Sequence, residues 1–339
     1  MSDIKGFTTA ELYDAVHFGT LTSDAARTPG LMAVIDNPTA TRAELRRAIA
    51  ATRHLPATII TTTNVAQNCT EPALLNELVD VVADDLSAII PTILRNPVAA
   101  TAGVLLMRSF SPRQSVQQGL IAESTTYSLL QTGVEFQTWR NNTPVRPRPS
   151  GEHPVVATRR DSTLSVTLNR PHVRNALDTT TLQQMCEGFM VAVADHRIKR
   201  VELRGNGPSF CSGGDLDDFG NFDNPSTAHF VRLARSPARL AWELRNRLHA
   251  FVHGACAGSG VEIPAFAHHV VADPSTTFRL PEVGIGLIPG AGGTVSVARR
   301  IGRLKTNLMM LTGLPIDAPT ALSWGLVDEI NPVERGDHP

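Results

Sequence analysis

The sequence predicts an α/β protein built from two unequal units, of which the second is the more regular. After about residue 150, short apolar runs, glycine turns and stretches with helical spacing follow one another. This alternation is typical of an α/β fold whose connections gather at one edge of a sheet. A proline-rich segment, residues 141–151, comes just before this pattern, and proline neither continues a helix nor donates within a sheet.

These observations divide the chain into four expected segments. They are a first unit over residues 1–140, a linker over 141–151, a second unit over 152–331 and a polar tail over 332–339. The length of 339 residues favours two units over one. Because 42% of the residues are hydrophobic and 19% are charged, the chain has enough apolar material for a sizeable core.

Composition excludes several classes of function. A formal net charge of -1 gives no electrostatic reason to expect nucleic acid or a membrane surface as a partner. No apolar run reaches the length of about 18 residues that a membrane span needs, and the polar amino-terminal segment does not resemble a secretory signal, so we expect a cytoplasmic protein. The cysteines, at positions 69, 186, 211 and 256, lack metal-ligand spacing, so we expect no metal and no disulfide framework.

In the second unit, apolar alternation predicts two strands around a turn, over residues 155–159 and 163–168. Asp178 is expected to cap a helix over residues 179–194, because apolar residues follow it near helical spacing. Three further strands are predicted over residues 200–204, 248–252 and 269–272.

The first unit has related but less regular elements. Residues 30–36 and 57–61 read as buried strands, with a helix over 42–53 between them, and helices are predicted over 72–90 and 98–107. Since this unit lacks a glycine-rich loop comparable with those of the second, we expect no active site in it.

Three loops of the second unit carry residues suited to chemistry. Gly213 and Gly214 precede Asp215, which is expected to cap a following helix and to leave backbone N–H groups facing outward. Glu262 lies just after a small-residue turn, and Glu282 follows a proline before a dense glycine run. Each loop alone is more often a turn, a helix cap or a surface charge, so the interpretation depends on finding all three in this order.

Taken together, five blocks of the second unit resemble the crotonase (enoyl-CoA hydratase/isomerase) superfamily. They cover residues 168–178, 210–216, 253–262, 280–294 and 318–330, the last with Trp-Gly-Leu-Val-Asp at 324–328. The resemblance implies a crotonase-like ββα spiral core with a helical terminal segment.

Carried over position by position, the resemblance implies an oxyanion hole made by the backbone N–H groups of Gly214 and Ser259. It implies that Glu262 positions and activates a water and that Glu282 gives a proton to Cα. An isomerase needs only one base, so the presence of two glutamates favours an enoyl-CoA hydratase. An isomerase or another enolate-forming crotonase remains the alternative, and a non-catalytic protein that binds CoA thioesters is an alternative from another class.

Ligands and partners follow from the same resemblance. Arg174, Asn175 and Ala176 occupy the turn that meets coenzyme A in the family, although Arg174 is about equally well explained as a solvent-facing side chain. The expected partner is an acyl-CoA thioester substrate, with no cofactor besides the coenzyme A that it carries. We expect a homo-oligomer such as a trimer.

The order of parts is unusual for this family. The family normally continues past the Trp-Gly-Leu-Val-Asp block with helices that close the site, and here only residues 331–339 remain. Residues 80–90 resemble what normally follows that block, and residues 119–136 resemble the family's final helices. The first unit is therefore interpreted as a smaller, degenerate crotonase-like α/β half that carries these helices. An unrelated helical domain remains the alternative.

Overall fold

The computed structural model of the chain describes residues 4–27, 32–35, 40–146, 153–220 and 224–335. We refer to residues 4–146 as the first half and to residues 153–335 as the second half. No helix among these residues is long and apolar enough to cross a membrane. The predicted linker lies partly outside the described residues, as does the end of the predicted tail.

The first half contains one four-stranded parallel sheet with helices around it. The strands, in spatial as well as sequence order, are β1 (Ile4–Phe7), β2 (Met32–Ile35), β3 (Thr58–Thr62) and β4 (Val81–Ala83). The first helices are α1 (Thr9–His17), α2 (Thr20–Arg27), α3 (Arg42–Thr52), α4 (Thr63–Asn68) and α5 (Pro72–Leu78). The remaining helices are α6 (Ile90–Arg95), α7 (Pro97–Arg108), α8 (Val116–Gln131) and α9 (Val134–Asn142).

The prediction of one helix over residues 72–90 is wrong. Helix α5 ends at Leu78, and residues 81–83 form a strand that pairs in parallel with β3, with Val81 opposite Ile60. The run Val79-Asp80-Val81-Val82 is rich in β-branched residues, which favour strands. Asp80 fixes the turn, because its Oδ2 accepts the N–H of Ile59 at 2.8 Å.

The second half contains two sheets. The six-stranded sheet has the spatial order β13-β10-β8-β7-β6-β5, and only the β5–β6 pair is antiparallel. Its strands are β5 (Val155–Arg160), β6 (Thr163–Leu168), β7 (Arg200–Gly205), β8 (Leu248–Val252), β10 (His269–Ala272) and β13 (Glu329–Ile330). A small sheet joins β9 (Ala255–Ala257), β11 (Thr277–Arg279) and β12 (Ile316–Asp317).

Six α-helices connect these strands. They are α10 (Thr179–Ala194), α11 (Pro225–Ala234), α12 (Pro237–Leu244), α13 (Ser259–Glu262), α14 (Gly293–Thr312) and α15 (Ala318–Trp324). Short 3₁₀ turns span Pro171–Val173, Pro264–Phe266 and Glu282–Ile285. As predicted, Asp178 caps α10 by accepting the N–H of Thr181 at 2.7 Å.

The two halves share one apolar core. Its members from the first half include Met32, Ile60 and Val104, and those from the second half include Val283, Val297 and Met310. A buried ionic group adds to this contact, because Asp80 pairs with Arg108 of α7 and, at 3.3 Å, with Arg303 of α14. Removing one member of such a group would leave an uncompensated buried charge, so the group fixes the position of α14 against the first half.

Candidate active site

One cavity of about 210 Å³ lies where the three glycine-containing loops of the second half approach α8 of the first half. Gly214, Ser259, Glu262 and Glu282 all line it. The sequence placed these four residues on three loops, and the fold brings them to one cavity. The rest of its lining comes from α8, from α10 and the loop after Gly214, from the end of α11 and the start of α12, and from the turn before α14.

Glu262 ends the short helix α13, and its side chain is 2% exposed. Its Oε2 accepts the N–H of Ala291 at 2.7 Å and the N–H of Gly293 at 2.8 Å. Those two N–H groups lie at the start of α14, where the helix dipole favours negative charge. Burial, together with repulsion by Glu282 and Glu123, nevertheless raises the pKa of Glu262 well above its usual range.

Glu282 opens the 3₁₀ turn over residues 282–285, and its side chain is 8% exposed. Burial raises its pKa to about 8. Its Oε2 is buried without a hydrogen-bond partner among the described residues. An ionised carboxylate without donors is costly in such a place, so the protonated form of Glu282 is favoured at neutral pH.

The two carboxyl groups converge on Gly258. This glycine has a φ of +50°, and a Cβ built on it would overlap Glu282 Oε1 and lie 3.8 Å from Glu262 Oε1. A side chain is therefore excluded both by the backbone conformation and by Glu282. The next residue, Ser259, starts α13 and is absent from the residues with positive φ, so a serine fits there without backbone strain.

Gly214 and Ser259 both line the same cavity. Among the described residues, neither of their backbone N–H groups donates to a protein acceptor. Gly214 pairs with Leu177 in an isolated parallel bridge, and a Cβ at Gly214 would collide with the ring of Phe219. Two free N–H groups in a partly enclosed cavity can donate to one oxygen that gains negative charge.

A third buried carboxyl group, Glu123, comes from α8 of the first half and is 2% exposed. Its Oε1 accepts the N–H of Gly292 at 2.7 Å, and its Oε2 accepts the N–H and the hydroxyl of Thr294 at 2.9 and 2.7 Å. Burial raises the pKa of Glu123 to about 7. The sequence predicts that the first unit has no active site of its own and carries helices that close the site of the second unit, and the structure places Glu123, from residues 119–136, at the cavity.

The family of this chain follows from comparison with known proteins. The family model described as "Enoyl-CoA hydratase/isomerase" matches residues 158–336, more than half of the chain. The chain belongs to this family. The predicted family and α/β fold class are thus confirmed, while the first half lies outside the matched region.

Two curated relatives and one solved structure are similar to part of this chain. A 2,3-dehydroadipyl-CoA hydratase of Escherichia coli is 34% identical over 52% of this chain and 69% of its own length. An "Enoyl-CoA isomerase/hydratase fer4" of Mycosarcoma maydis is 32% identical over 49% of this chain and 64% of its own length. A crystal structure of an enoyl-CoA hydratase from Thermoplasma volcanium is 28% identical over 52% of this chain and 71% of its own, with a TM-score of 0.48. The chain thus spans about two thirds of the curated relatives' length.

The turn with the expected coenzyme A contacts, residues 174–176, does not line the cavity. Arg174 and Asn175 have φ values of 54° and 55°, and the side chain of Arg174 is exposed. The Asn175 side chain is fully buried and donates to the carbonyl oxygens of residues 206, 209 and 210 at 2.9, 2.9 and 3.0 Å. Asn175 therefore holds the turn against the loop that leads to Gly214, and only the backbone and Arg174 remain available for a ligand.

Asp215 does not cap a helix, contrary to expectation. Residues 216–220 form turns, and the next described helix is α11, which begins at Pro225. Asp215 instead pairs with Arg170 at 3.2 Å, and Arg170 also pairs with Asp178 at 3.1 Å. Arg170 is 1% exposed, so this buried cation fixes the loop of Gly214 to the cap of α10. A lone arginine in the sequence gave no signal of this role.

Proposed function

We propose that this chain is an enoyl-CoA hydratase, a lyase that adds water across the 2,3 double bond of an acyl-CoA thioester or removes water in the reverse direction. The observation that carries the proposal is the convergence of two buried carboxyl groups, Glu262 and Glu282, on Gly258, in a cavity that is also lined by two residues with free backbone N–H groups. Hydration needs a base for water and an acid for Cα, and a pair of carboxyl groups that shares one proton supplies both.

The thioester oxygen would accept the N–H groups of Gly214 and Ser259. These hydrogen bonds draw electrons from the Cα=Cβ bond and stabilise the enolate that forms after attack at Cβ. Loss of one donor in comparable sites costs about 10²- to 10³-fold in kcat.

The two glutamates would divide the proton transfers. We place the negative charge on Glu262, because two N–H groups stabilise it, and the proton on Glu282, whose Oε2 has no donor among the described residues. Ionised Glu262 takes a proton from water while the water oxygen bonds to Cβ. The electron pair of the double bond moves to the thioester oxygen, and Glu282 then protonates Cα as the thioester C=O reforms. The next cycle begins after a proton passes from Glu262 to Glu282.

The test follows the loss of crotonyl-CoA absorbance with wild-type protein and with Glu282→Gln and Glu262→Gln. Each substitution is expected to lower kcat by about 10²- to 10⁴-fold, the range for a general acid or base. The matched control is Glu187→Gln, since Glu187 is exposed and contacts only Gln183 among the described residues. Equal background rates for wild type and both variants on enoyl-CoA substrates would reject hydration.

The isomerase alternative has a distinct signature. An isomerase would convert a 3-enoyl-CoA to its 2-enoyl isomer faster than it hydrates crotonyl-CoA, and one of the two glutamine variants would keep most of that rate.

We also propose that the chain forms homo-oligomers, because Val98, Ile121, Leu129 and Val134 expose apolar surface on α7 to α9. Light scattering after size-exclusion chromatography measures this, and a monomer at micromolar concentration would contradict it.

A further inference from the structure

One part of the cavity wall carries a positive charge that forms no ion pair with any described residue. Arg232 of α11 lines the cavity, and its hydrogen-bond acceptors among the described residues are neutral side chains of α8. Its Nε donates to Ser124 Oγ at 3.2 Å, and its terminal nitrogens donate to Gln131 Oε1 at 3.3 Å and to Ser128 Oγ. The guanidinium carbon lies 4.6 Å from the centre of the Tyr127 ring.

These contacts leave the guanidinium with spare hydrogen-bonding capacity. A guanidinium has five N–H donors, and three hydrogen bonds are accounted for. No described carboxylate forms an ion pair with Arg232, although twelve arginine–carboxylate pairs occur elsewhere among the described residues. Partial burial of the charge lowers the pKa of Arg232, which reflects its loss of hydration.

Glu123 is the described carboxyl group that acts most on Arg232, and it does not neutralise it. Both oxygens of Glu123 are occupied by the N–H groups of Gly292 and Thr294. Since burial raises the pKa of Glu123 to about 7, a large fraction of this group is neutral at physiological pH. An uncharged acyl chain in the cavity would displace water from Arg232 and leave its charge without compensation, which is costly.

We propose that Arg232 binds a carboxylate at the far end of the acyl chain, so that the substrate is the CoA thioester of an unsaturated dicarboxylic acid. This inference rests on the proposed function for its reaction, and it concerns the acyl group that reaches the same cavity. A guanidinium matches a carboxylate with two parallel hydrogen bonds, and the two unused donors of Arg232 suffice for them. Ser124 and Gln131, which hold Arg232, also line the cavity and complete a polar end for the acyl pocket.

The phosphates of coenzyme A are the other source of negative charge, and the experiment separates the two. Calorimetry measures the Kd of adipyl-CoA and of hexanoyl-CoA, which have the same chain length, carry the same coenzyme A and cannot be hydrated. Wild-type protein is expected to bind adipyl-CoA roughly 10- to 100-fold more tightly, the range for hydrogen bonds to a charged group. Arg232→Gln is expected to abolish this ratio.

The matched control is Arg239→Gln, because Arg239 pairs with Glu243 and does not line the cavity, so the ratio should stay at the wild-type value. A wild-type protein that binds hexanoyl-CoA as tightly as adipyl-CoA overturns the proposal. So does an Arg232→Gln variant that weakens both ligands equally, which would assign Arg232 to the coenzyme A phosphates. Binding is measured without turnover, so the two proposals can fail separately. If wild-type protein prefers adipyl-CoA over hexanoyl-CoA but does not hydrate 2,3-dehydroadipyl-CoA, the proposed reaction is rejected and the proposed role of Arg232 is kept.

Discussion

Glu123 and Glu262, which come from different halves of the chain, accept hydrogen bonds in alternation from four successive backbone N–H groups at the start of α14. Glu262 accepts the N–H groups of Ala291 and Gly293, and Glu123 accepts those of Gly292 and Thr294. The glycine-rich turn is therefore held by two carboxyl groups at once. Because Glu262 is one of the proposed catalytic groups, Glu123 links α8 of the first half to the geometry of the reaction.

We first predict the effect of Glu123→Gln. Glutamine keeps the size of the side chain, but its NH₂ group cannot accept a hydrogen bond, so at least one buried backbone N–H loses its acceptor at a cost of about 1–3 kcal/mol. The turn that holds Glu262 then shifts, so kcat for hydration is expected to fall about 10- to 100-fold and the Tm to decrease.

The matched control for that prediction is Glu135→Gln. Glu135 likewise accepts two backbone N–H groups at the start of a helix, those of Val98 and Ala99, at 2.7 and 2.9 Å, but it does not line the cavity. This variant should have a lower Tm than the wild-type protein and the same kcat, when both proteins are assayed well below their melting temperatures. Equal kcat for Glu123→Gln and wild type would show that α8 only covers the cavity.

Our second prediction concerns pH. Glu282 must be protonated to act as the acid, and burial raises its pKa to about 8, so kcat/KM is expected to fall as the pH rises through about 8. Glu262 must be ionised to act as the base, so kcat/KM is also expected to fall at low pH, as Glu262 becomes protonated. Because the pKa of Glu262 is raised, this fall should begin well above the usual pKa of a glutamate. The measurement is crotonyl-CoA hydration from about pH 5 to 10, with circular dichroism to confirm folding. A rate that stays constant across pH 7 to about 10 would contradict the assigned acid.

The local patterns that the sequence carries explain which parts of the site were predictable. Gly214, Ser259, Glu262 and Glu282 lie in loops with strong glycine patterns, and the family resemblance of these loops implied their grouping. Glu123 has no such pattern. Residues 119–136 resemble the family's final helices, but nothing among them marks Glu123, because its partners Gly292 and Thr294 lie more than 160 residues further along the chain.

The errors have a similar origin. Residues 72–90 carry apolar residues at helical spacing, and the tertiary pairing of Val81 with Ile60 overrides that local preference. Asp215 follows two glycines, as a helix cap often does, but the buried Arg170 takes its carboxylate and no helix follows directly. Both misreadings concern residues whose partners are distant in sequence.

Our third prediction tests the convergence of the two carboxyl groups. Gly258→Ala introduces a Cβ that overlaps Glu282 Oε1, so it should displace that carboxyl group and lower kcat for hydration by more than about tenfold. The control is Gly19→Ala, because Gly19 also has a positive φ, +76°, but has no atom within 4 Å of the position of a Cβ. Both variants should lose about 1–2 kcal/mol of stability through backbone strain. A Gly258→Ala variant as active as Gly19→Ala would place the reacting carboxyl groups elsewhere.

The last prediction concerns the dependence of the second half on the first. A fragment of residues 150–339 lacks α8, and so lacks Glu123 and the apolar wall residue Leu120, while the apolar core that both halves share is exposed. We therefore expect this fragment to aggregate or to be inactive with crotonyl-CoA. Coexpression with residues 1–149 should restore soluble, active protein, because Asp80 and Arg303 pair between the halves and Asn307 donates to the Asp80 carbonyl at 2.9 Å. A soluble fragment of residues 150–339 with full hydratase activity would show that the second half forms its site unaided.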